Sequence, residues 1–489
     1  MDLLIALIPL IMIFICLFIF KLSALYSGLI AFLFTSALVL VGVNFELSLS
    51  ELLDSIIAGI LISSIAAYVI FFGILLFHLM NETKNIDLIS QKIKLLTNDK
   101  ALKVIILVVG ISPLIESTSG FGTSFLIITP ILISLGIENY KATFIGILSL
   151  IAVPWGALAT GTVIGTELVG LGLKKVGFIT ALLTIPTIIY FLALCIFILG
   201  GKKAVNQNKY KILLYSVTFT LTNIIFNYFI SVELSGVFSS LITLLIGIIY
   251  IKSKSTKIID YKSLLNLLSP YILLTLLVFI TRTIPIIDDF LKNNFVLIST
   301  KFNYQLPLLY SPGFWLIIAC IYTIFKFKIS KNLIQISFKK TIKQWRLFVV
   351  STTLFIALSQ IMDSAGMIKV ISNNLGDTFD NCFIVVSAFI GSLGGFLTGS
   401  NTGANAMFMK LQIQIANQVN ISSNLIAGLQ NASASNATMI TPSRIMLASE
   451  LYNIREKENK LLIDLIKVIL VSIILLILVA HLVNNLFNI

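Results

Sequence analysis

Residues 114–125 read LIESTSGFGTSF, a carboxylate, hydroxyl side chains and glycines inside a long apolar run. A second cluster, GSLGGFLTGSNTGANAMF at 391–408, sets glycines around Ser400-Asn401-Thr402. Ser117, Thr118, Ser119, Ser400 and Thr402 offer hydroxyls, Asn401, Asn405 and Asn436 offer amides, and Gly120 frees backbone N–H groups for close approach. Helices broken at such points present N–H groups with partial positive charge, which bind carboxylates. Carbonyl oxygens at the same breaks would suit a cation, so the sign of the ligand stays open. Glu116 differs in kind. A carboxylate within a membrane is costly and marks proton relays or ion pathways. Burial penalises its charged form, so a glutamate that takes up and releases a proton there makes a natural coupling group. Its other reading is structural, a carboxyl held by a hydrogen bond or an Arg partner. Arg444 follows the polar run NASASNATMITPS at 431–443 and is a candidate partner, or a bidentate clamp for a substrate carboxylate. The simpler expectation is a loop charge facing the cytoplasm. Asp363 is expected to be an exposed loop acid.

The elements that must hold these residues are membrane helices. The chain has 489 residues, 58% hydrophobic and 11% charged, against about 25% charged in soluble domains. A crossing helix needs roughly 20 apolar residues. Apolar segments recur at 3–20, 24–43, 56–79, 177–199, 212–230, 234–251, 264–284 and 461–486, with shorter ones at 312–325, 347–362 and within 101–153 and 381–430. Residues 3–20 are read as a first span and not a cleaved leader, since a second span follows Lys21. Basic residues gather at 84–103, 202–211, 252–262, 326–346 and 455–460, and acids at 46–54, 288–289 and 377–380. That alternation puts the basic loops in the cytoplasm and both termini outside. The net charge of +13 therefore belongs to membrane topology, with no nucleic-acid partner implied. Residues 81–103 are amphipathic and suit an interfacial helix or a solvated loop. Cys16, Cys195, Cys320 and Cys382 lie in or beside apolar segments without pairing spacing, and His78 and His481 are the only histidines. Neither a metal-centred enzyme nor a nucleophile–base pair is expected, and no cofactor.

The short segments cluster at 101–165 and 381–445, and the two regions share a plan. Each has a glycine- and hydroxyl-rich turn followed by a second interruption with proline, VPWGALATGTVIGTE at 153–167 and the run at 431–443. Irregular backbone at membrane depth is tolerated where protein or a watery cavity covers it. Matching Gly/Pro-interrupted segments in two halves point to a transporter binding site. The expected fold is an all-α polytopic membrane protein of inverted repeats. An N-terminal half, 1–205, has a hairpin near 113–123 and a broken helix near 153–165. A C-terminal half, 206–489, has a hairpin near 394–405 and a broken helix near 431–443.

These stretches resemble the lactate permease family over essentially the whole chain. The pattern G-S-x-T-x-x-N falls on Gly399, Ser400, Thr402 and Asn405, E-x-x-x-G-F-G on Glu116, Gly120, Phe121 and Gly122, and M-I-[ST]-P on Met439, Ile440, Thr441 and Pro442. The resemblance implies a proton-coupled symporter of lactate and related 2-hydroxymonocarboxylates such as glycolate, in a bacterial-type cytoplasmic membrane. It also implies two re-entrant hairpins and, by analogy with the ion-transporter superfamily, an elevator with scaffold and transport regions. A homodimer is a further expectation. Asn401 stands where many members carry an acid, which leaves Glu116 as the proton carrier. The polar tip at Ser117-Thr118-Ser119 keeps a sodium-coupled carboxylate symporter open, and a cation antiporter or channel on the same hairpins is the remaining alternative.

Overall fold

A computed structural model describes residues 2–42, 44–120, 122–254, 261–379 and 382–487. Phe121, Asp380 and part of the basic stretch at 252–262 lie outside the described residues. The chain is nearly all helix. It runs α1 (Asp2–Phe18), α2 (Ala24–Val41), α3 (Leu49–Glu82), α4 (Asn85–Leu96), α5 (Lys100–Ile106), α6 (Ser112–Ser119), α7 (Thr123–Ser134), α8 (Asn139–Leu148), α9 (Gly156–Val169) and α10 (Leu173–Phe229). Then follow α11 (Val232–Lys254), α12 (Tyr261–Thr283), α13 (Pro285–Asn293), β1 (Val296–Ser299), β2 (Tyr304–Pro307), α14 (Pro312–Lys326) and α15 (Lys331–Ser364). Last come α16 (Met367–Phe379), α17 (Phe383–Thr398), α18 (Asn401–Gln418), α19 (Ser423–Ala437), α20 (Pro442–Leu451) and α21 (Glu458–Phe487).

Among the described residues, eight helices are long and apolar enough to cross a membrane, or nine when the pair Asn139–Leu148 and Val153–Val169, bent by 54°, is one span. Large apolar side chains such as Leu33, Ile57, Phe197, Leu221, Leu276 and Leu478 lie on the outside, as a lipid-facing surface requires. The chain is thus a multi-pass membrane protein. It is not purely α, because β1 and β2 pair antiparallel, Val296 opposite Pro307 and Ser299 opposite Tyr304. The turn between them needs the left-handed Asn303 (φ 47), and the strands are too short to register as a span. The expected division at 205 falls inside α10, just past its bend at Gly200 and Gly201 (φ −160 and 67).

Contacts sort the helix ends onto two faces. On the lysine-rich face Glu82 meets Lys340 (2.7 Å), Lys457 meets Glu138 (3.4 Å) and Tyr140 donates to Asp464 (2.9 Å). On the opposite face Lys301 meets Asp54 (2.5 Å) and Ser55 donates to Ser364 (3.0 Å). The α5–α7 stretch starts and ends on the lysine-rich face, where Lys100 Nζ donates to the Gly136 carbonyl (3.2 Å). The α17–α18 pair ends on the other, where Gln418 donates to the Asn373 carbonyl (3.3 Å). The first turn is buried at Gly120 and Gly122, and the second is half-buried at Gly399 and Ser400.

Local chemistry explains the turns. A π-helical turn at Leu107–Ile111 leads to Pro113, which starts α6 without needing an amide donor. Gly120 (φ 66, ψ −164) then ends α6 in a region essentially confined to glycine. In the other pair, left-handed Gly399 (φ 64) ends α17. Ser400 starts α18 by accepting from Gly403 N (3.2 Å).

Candidate functional site

The turns at 120–122 and 399–400 meet beside two broken helices. The first break follows α8, where the turn Val153–Trp155 leads into Ala157, Leu158 and Ala159, all left-handed (φ 38, 57 and 59). Such backbone costs about 1–3 kcal/mol per non-glycine residue, so the surroundings must hold it. Thr162 Oγ1 does so by donating to the Pro154 carbonyl (2.8 Å), and Trp155, fully buried, donates to Asn227 Oδ1 (3.2 Å). The second break separates α19 from α20 at Thr438–Thr441. The expected break near 431–443 is therefore shorter than the polar run. Residues 431–437 remain helical because their amides find partners on neighbouring helices in place of water.

Asn431 is the centre of that substitution. Its Oδ1 accepts from Asn401 Nδ2 (2.7 Å) and Asn405 Nδ2 (2.9 Å). Its Nδ2 donates to Thr162 Oγ1 (2.9 Å) and Thr180 Oγ1 (3.2 Å). Asn405 also donates to the Gly161 carbonyl (3.0 Å) and accepts from Gln430 (3.3 Å). These bonds tie α18 to α19 and to the first broken helix. Gly161 is obligatory in that junction, since a Cβ there would lie 2.5 Å from Asn401 Nδ2.

A cavity of about 40 Å³ opens where these parts meet, lined by Glu116, Gly120, Thr160, Asn401, Thr438 and Arg444 among others. Glu116 is 2% exposed; its Oε1 accepts from Gly122 N (2.9 Å) and its Oε2 from Ser124 Oγ (3.1 Å). Asn401 is 6% exposed and its Oδ1, buried in this wall, has no partner. Thr402 Oγ1 lies 3.4 Å from Thr160 Oγ1, and Ser400 completes the wall.

Arg444 corrects the sequence expectation most. It is not a cytoplasmic loop charge but a buried side chain, 8% exposed, in the same wall. Its Nη1 donates to the Thr438 carbonyl and its Nη2 to the Gly399 carbonyl (3.3 Å). A Cβ on Gly122 would lie 2.8 Å from its Cζ, so the guanidinium touches both turns and the second break. Among the described residues it forms no direct ion pair with Glu116. Asp363 is no free loop acid either. It ends α15 paired with Lys410 (2.6 Å) and accepts from Gln414 (2.7 Å).

Other expected residues stand elsewhere. Thr118 and Ser119 donate to their own helix at Leu114 (2.9 Å) and Ile115 (2.6 Å). Ser117 faces α11 at Gly236, and Asn436 faces Ser472 of α21 (3.4 Å). Asn405 supports Asn401 from behind. The sequence also left out Thr160, Thr438 and Phe348, which line the cavity.

The model of the L-lactate permease family matches residues 2–307 and 294–487 of this chain. The chain belongs to the L-lactate permease family. Among similar family members, the L-lactate permease of Streptococcus iniae is 25% identical over 444 residues, 85% of this chain and 91% of that protein. The L-lactate permease of Halalkalibacterium halodurans is 22% identical, over 91% of this chain and 90% of its own. The glycolate permease GlcA of Escherichia coli (strain K12) is 23% identical, over 81% and 80%. These relatives are permeases, and this family member is likewise a membrane transport protein and not an enzyme.

Proposed function

We propose that the protein takes up L-lactate and related 2-hydroxymonocarboxylates such as glycolate by proton symport across a bacterial-type cytoplasmic membrane. The observation that carries this is the wall shared by Arg444, Asn401 and Glu116. Arg444 hydrogen-bonds two carbonyls and, among the described residues, no carboxylate; Glu116 lies within its electrostatic reach, and a small anion in the cavity would share that charge. The unpartnered Asn401 Oδ1 and the Thr160 and Thr402 hydroxyls suit a 2-hydroxyl group. Glu116 stands across the same space to carry the proton that moves with the anion. The names of the relatives supply the acid, and the wall accounts for how it would be held.

In this reading α5–α7 and α17–α18 are re-entrant hairpins entering from opposite faces, as inverted repeats would. They and the broken helices form the transport region, and α3, α14 and α15 the scaffold of an elevator. The cavity holds roughly three waters, less than lactate needs, so the walls part to admit substrate.

One observation favours a second reading. Asn401 Oδ1 has no partner, and Thr160 Oγ1 and Thr402 Oγ1 lie 3.4 Å apart in the same lining, oxygens that would suit sodium as the coupling ion. Arg444 in the same wall weighs against a cation antiporter or channel. The deciding experiment is uptake of labelled L-lactate into proteoliposomes with pH and sodium gradients imposed separately. Accumulation driven by the pH gradient alone supports proton symport. Accumulation only with sodium supports the second reading, and no saturable uptake under either gradient defeats both.

A further inference from the structure

The cavity has an apolar side that the anion-binding groups do not explain. Ile70 of α3 and Phe348 of α15 also line it. Phe348 also borders a second, larger cavity of about 350 Å³, lined by Ser23, Leu25, Gln344, Ser351, Thr398 and Ser400 among others. The two spaces share Phe348, Gly399 and Ser400, and the larger one reaches toward the lysine-rich face at Ser23 and Gln344. Phe348 is 6% exposed. Among the described residues its ring is the only large side chain common to both spaces.

The helix that carries it is fixed on both sides. One turn before, Trp345 Nε1 donates to the Ala67 carbonyl (2.7 Å), with its ring edge-on to Phe71 at 5.5 Å. Further along, Thr353 Oγ1 donates to Ser63 Oγ (2.8 Å). Both bonds tie α15 to α3, so Phe348 and Ile70 are presented by a rigid pair of helices while the polar groups come from the turns. A wall held this way makes a size filter, because it cannot yield without breaking cross-helix bonds.

We propose that Phe348 is a specificity-determining residue. Its ring closes the inner end of the larger cavity and limits the length of the group on C2 of the 2-hydroxy acid. This rests on the transport reading given above. The methyl of lactate would lie against Ile70 and Phe348, glycolate would leave that space unfilled, and a longer alkyl group would meet the ring. A single methylene in an apolar pocket changes selectivity by about tenfold or more.

The test is uptake by purified protein in proteoliposomes of L-lactate and of 2-hydroxy acids with two- and four-carbon side chains, for wild type, Phe348→Leu and Phe348→Ala. The expected result is that the kcat/KM ratio of the longest acid to lactate rises about tenfold or more in Phe348→Ala, with Phe348→Leu between. A wild-type ratio in both variants overturns the filter. Wild-type protein that takes up none of these acids overturns the transport reading and the filter together. A second measurement does not depend on turnover. Phe348→Cys, in a Cys382→Ser background, is expected to react with a water-soluble thiol reagent and to be protected by lactate. No reaction, or reaction that lactate leaves unchanged, overturns the placement of Phe348 between the two spaces.

Discussion

The two helical turns are built alike and charged differently. The turn at 120–122 brings a carboxylate, Glu116, whose oxygens are tied to Gly122 N and Ser124 within the same pair of helices. The turn at 399–400 brings no charge. Its polar groups are an amide network reaching through Asn431 to the first broken helix. Arg444 belongs to neither pair and touches both. One turn is thus self-contained and able to change charge, while the other is welded to its neighbours and fixed in charge. In the proposed reading the labour divides accordingly, the proton falling to the first turn and the carboxylate to the second.

Arg444 should break this comparison most severely, since it serves both sides. Arg444→Ala removes a charge-assisted fork, taking the guanidinium from the Gly399 carbonyl and leaving the Thr438 carbonyl with Thr441 alone. Hydrogen bonds to charged groups contribute about 1.5–3 kcal/mol each, so loss of two predicts transport lowered by roughly a hundredfold or more. Arg444→Lys should restore little, because an ammonium cannot span two carbonyls and an anion at once. Lactate counterflow by correctly folded, monodisperse protein is the measurement. Near-normal counterflow in Arg444→Ala would put the anion elsewhere.

Glu116→Gln separates the turns. Glutamine keeps the size and an acceptor but not the titration. Lactate exchange at equal pH on both sides should persist within a few fold, while accumulation driven by a pH gradient should vanish. Accumulation equal to wild type would remove Glu116 from coupling, and the contrast between the turns would lose its meaning. Asn401→Ala is the complementary change in the second turn. It should raise KM about tenfold, as loss of one or two polar contacts predicts, while leaving the dependence on the pH gradient intact. A changed coupling ratio with normal KM would reverse the two roles.

The parts of this site that were legible in sequence are those whose residue types are costly in lipid. Gly120, Gly122 and Gly399 mark turns because a glycine with free backbone stands out in an apolar run, and Glu116 stands out by charge. What was hidden depends on direction. Ser117, Thr118 and Ser119 have the right types, but a hydroxyl on a helix can turn back to the carbonyl three or four residues earlier, and Thr118 and Ser119 do. Spacing cannot reveal that choice. Arg444 was visible as a candidate clamp, but an arginine after a polar run reads first as a loop charge until the Gly399 carbonyl is seen beside it. Phe348 carries no signal at all as one apolar residue among many. The helices of the fold were legible from apolar length alone, whereas the helicity of the first part of the polar run, 431–437, was not, because Asn431 is kept helical by partners 269 and 251 residues distant in sequence.

The smallest effect sharpens the comparison through a pair of serines. Ser400 and Ser117 stand near the two turns, yet only Ser400 lines the cavity and caps a helix. Ser400→Ala should cost about 1 kcal/mol of stability as a lost cap and raise KM a few fold. Ser117 Oγ is buried against Gly236 without a partner. Removing an unsatisfied buried hydroxyl forfeits no bond and relieves its desolvation, so Ser117→Ala should be neutral or stabilising by about 1 kcal/mol, with KM and coupling within twofold of wild type. Thermal unfolding in detergent and proteoliposome uptake read both serines on one scale. A Ser117→Ala defect as large as that of Ser400→Ala would mean that Ser117 turns toward the substrate in another conformation, and the first turn would then bind the acid as well as carry the proton.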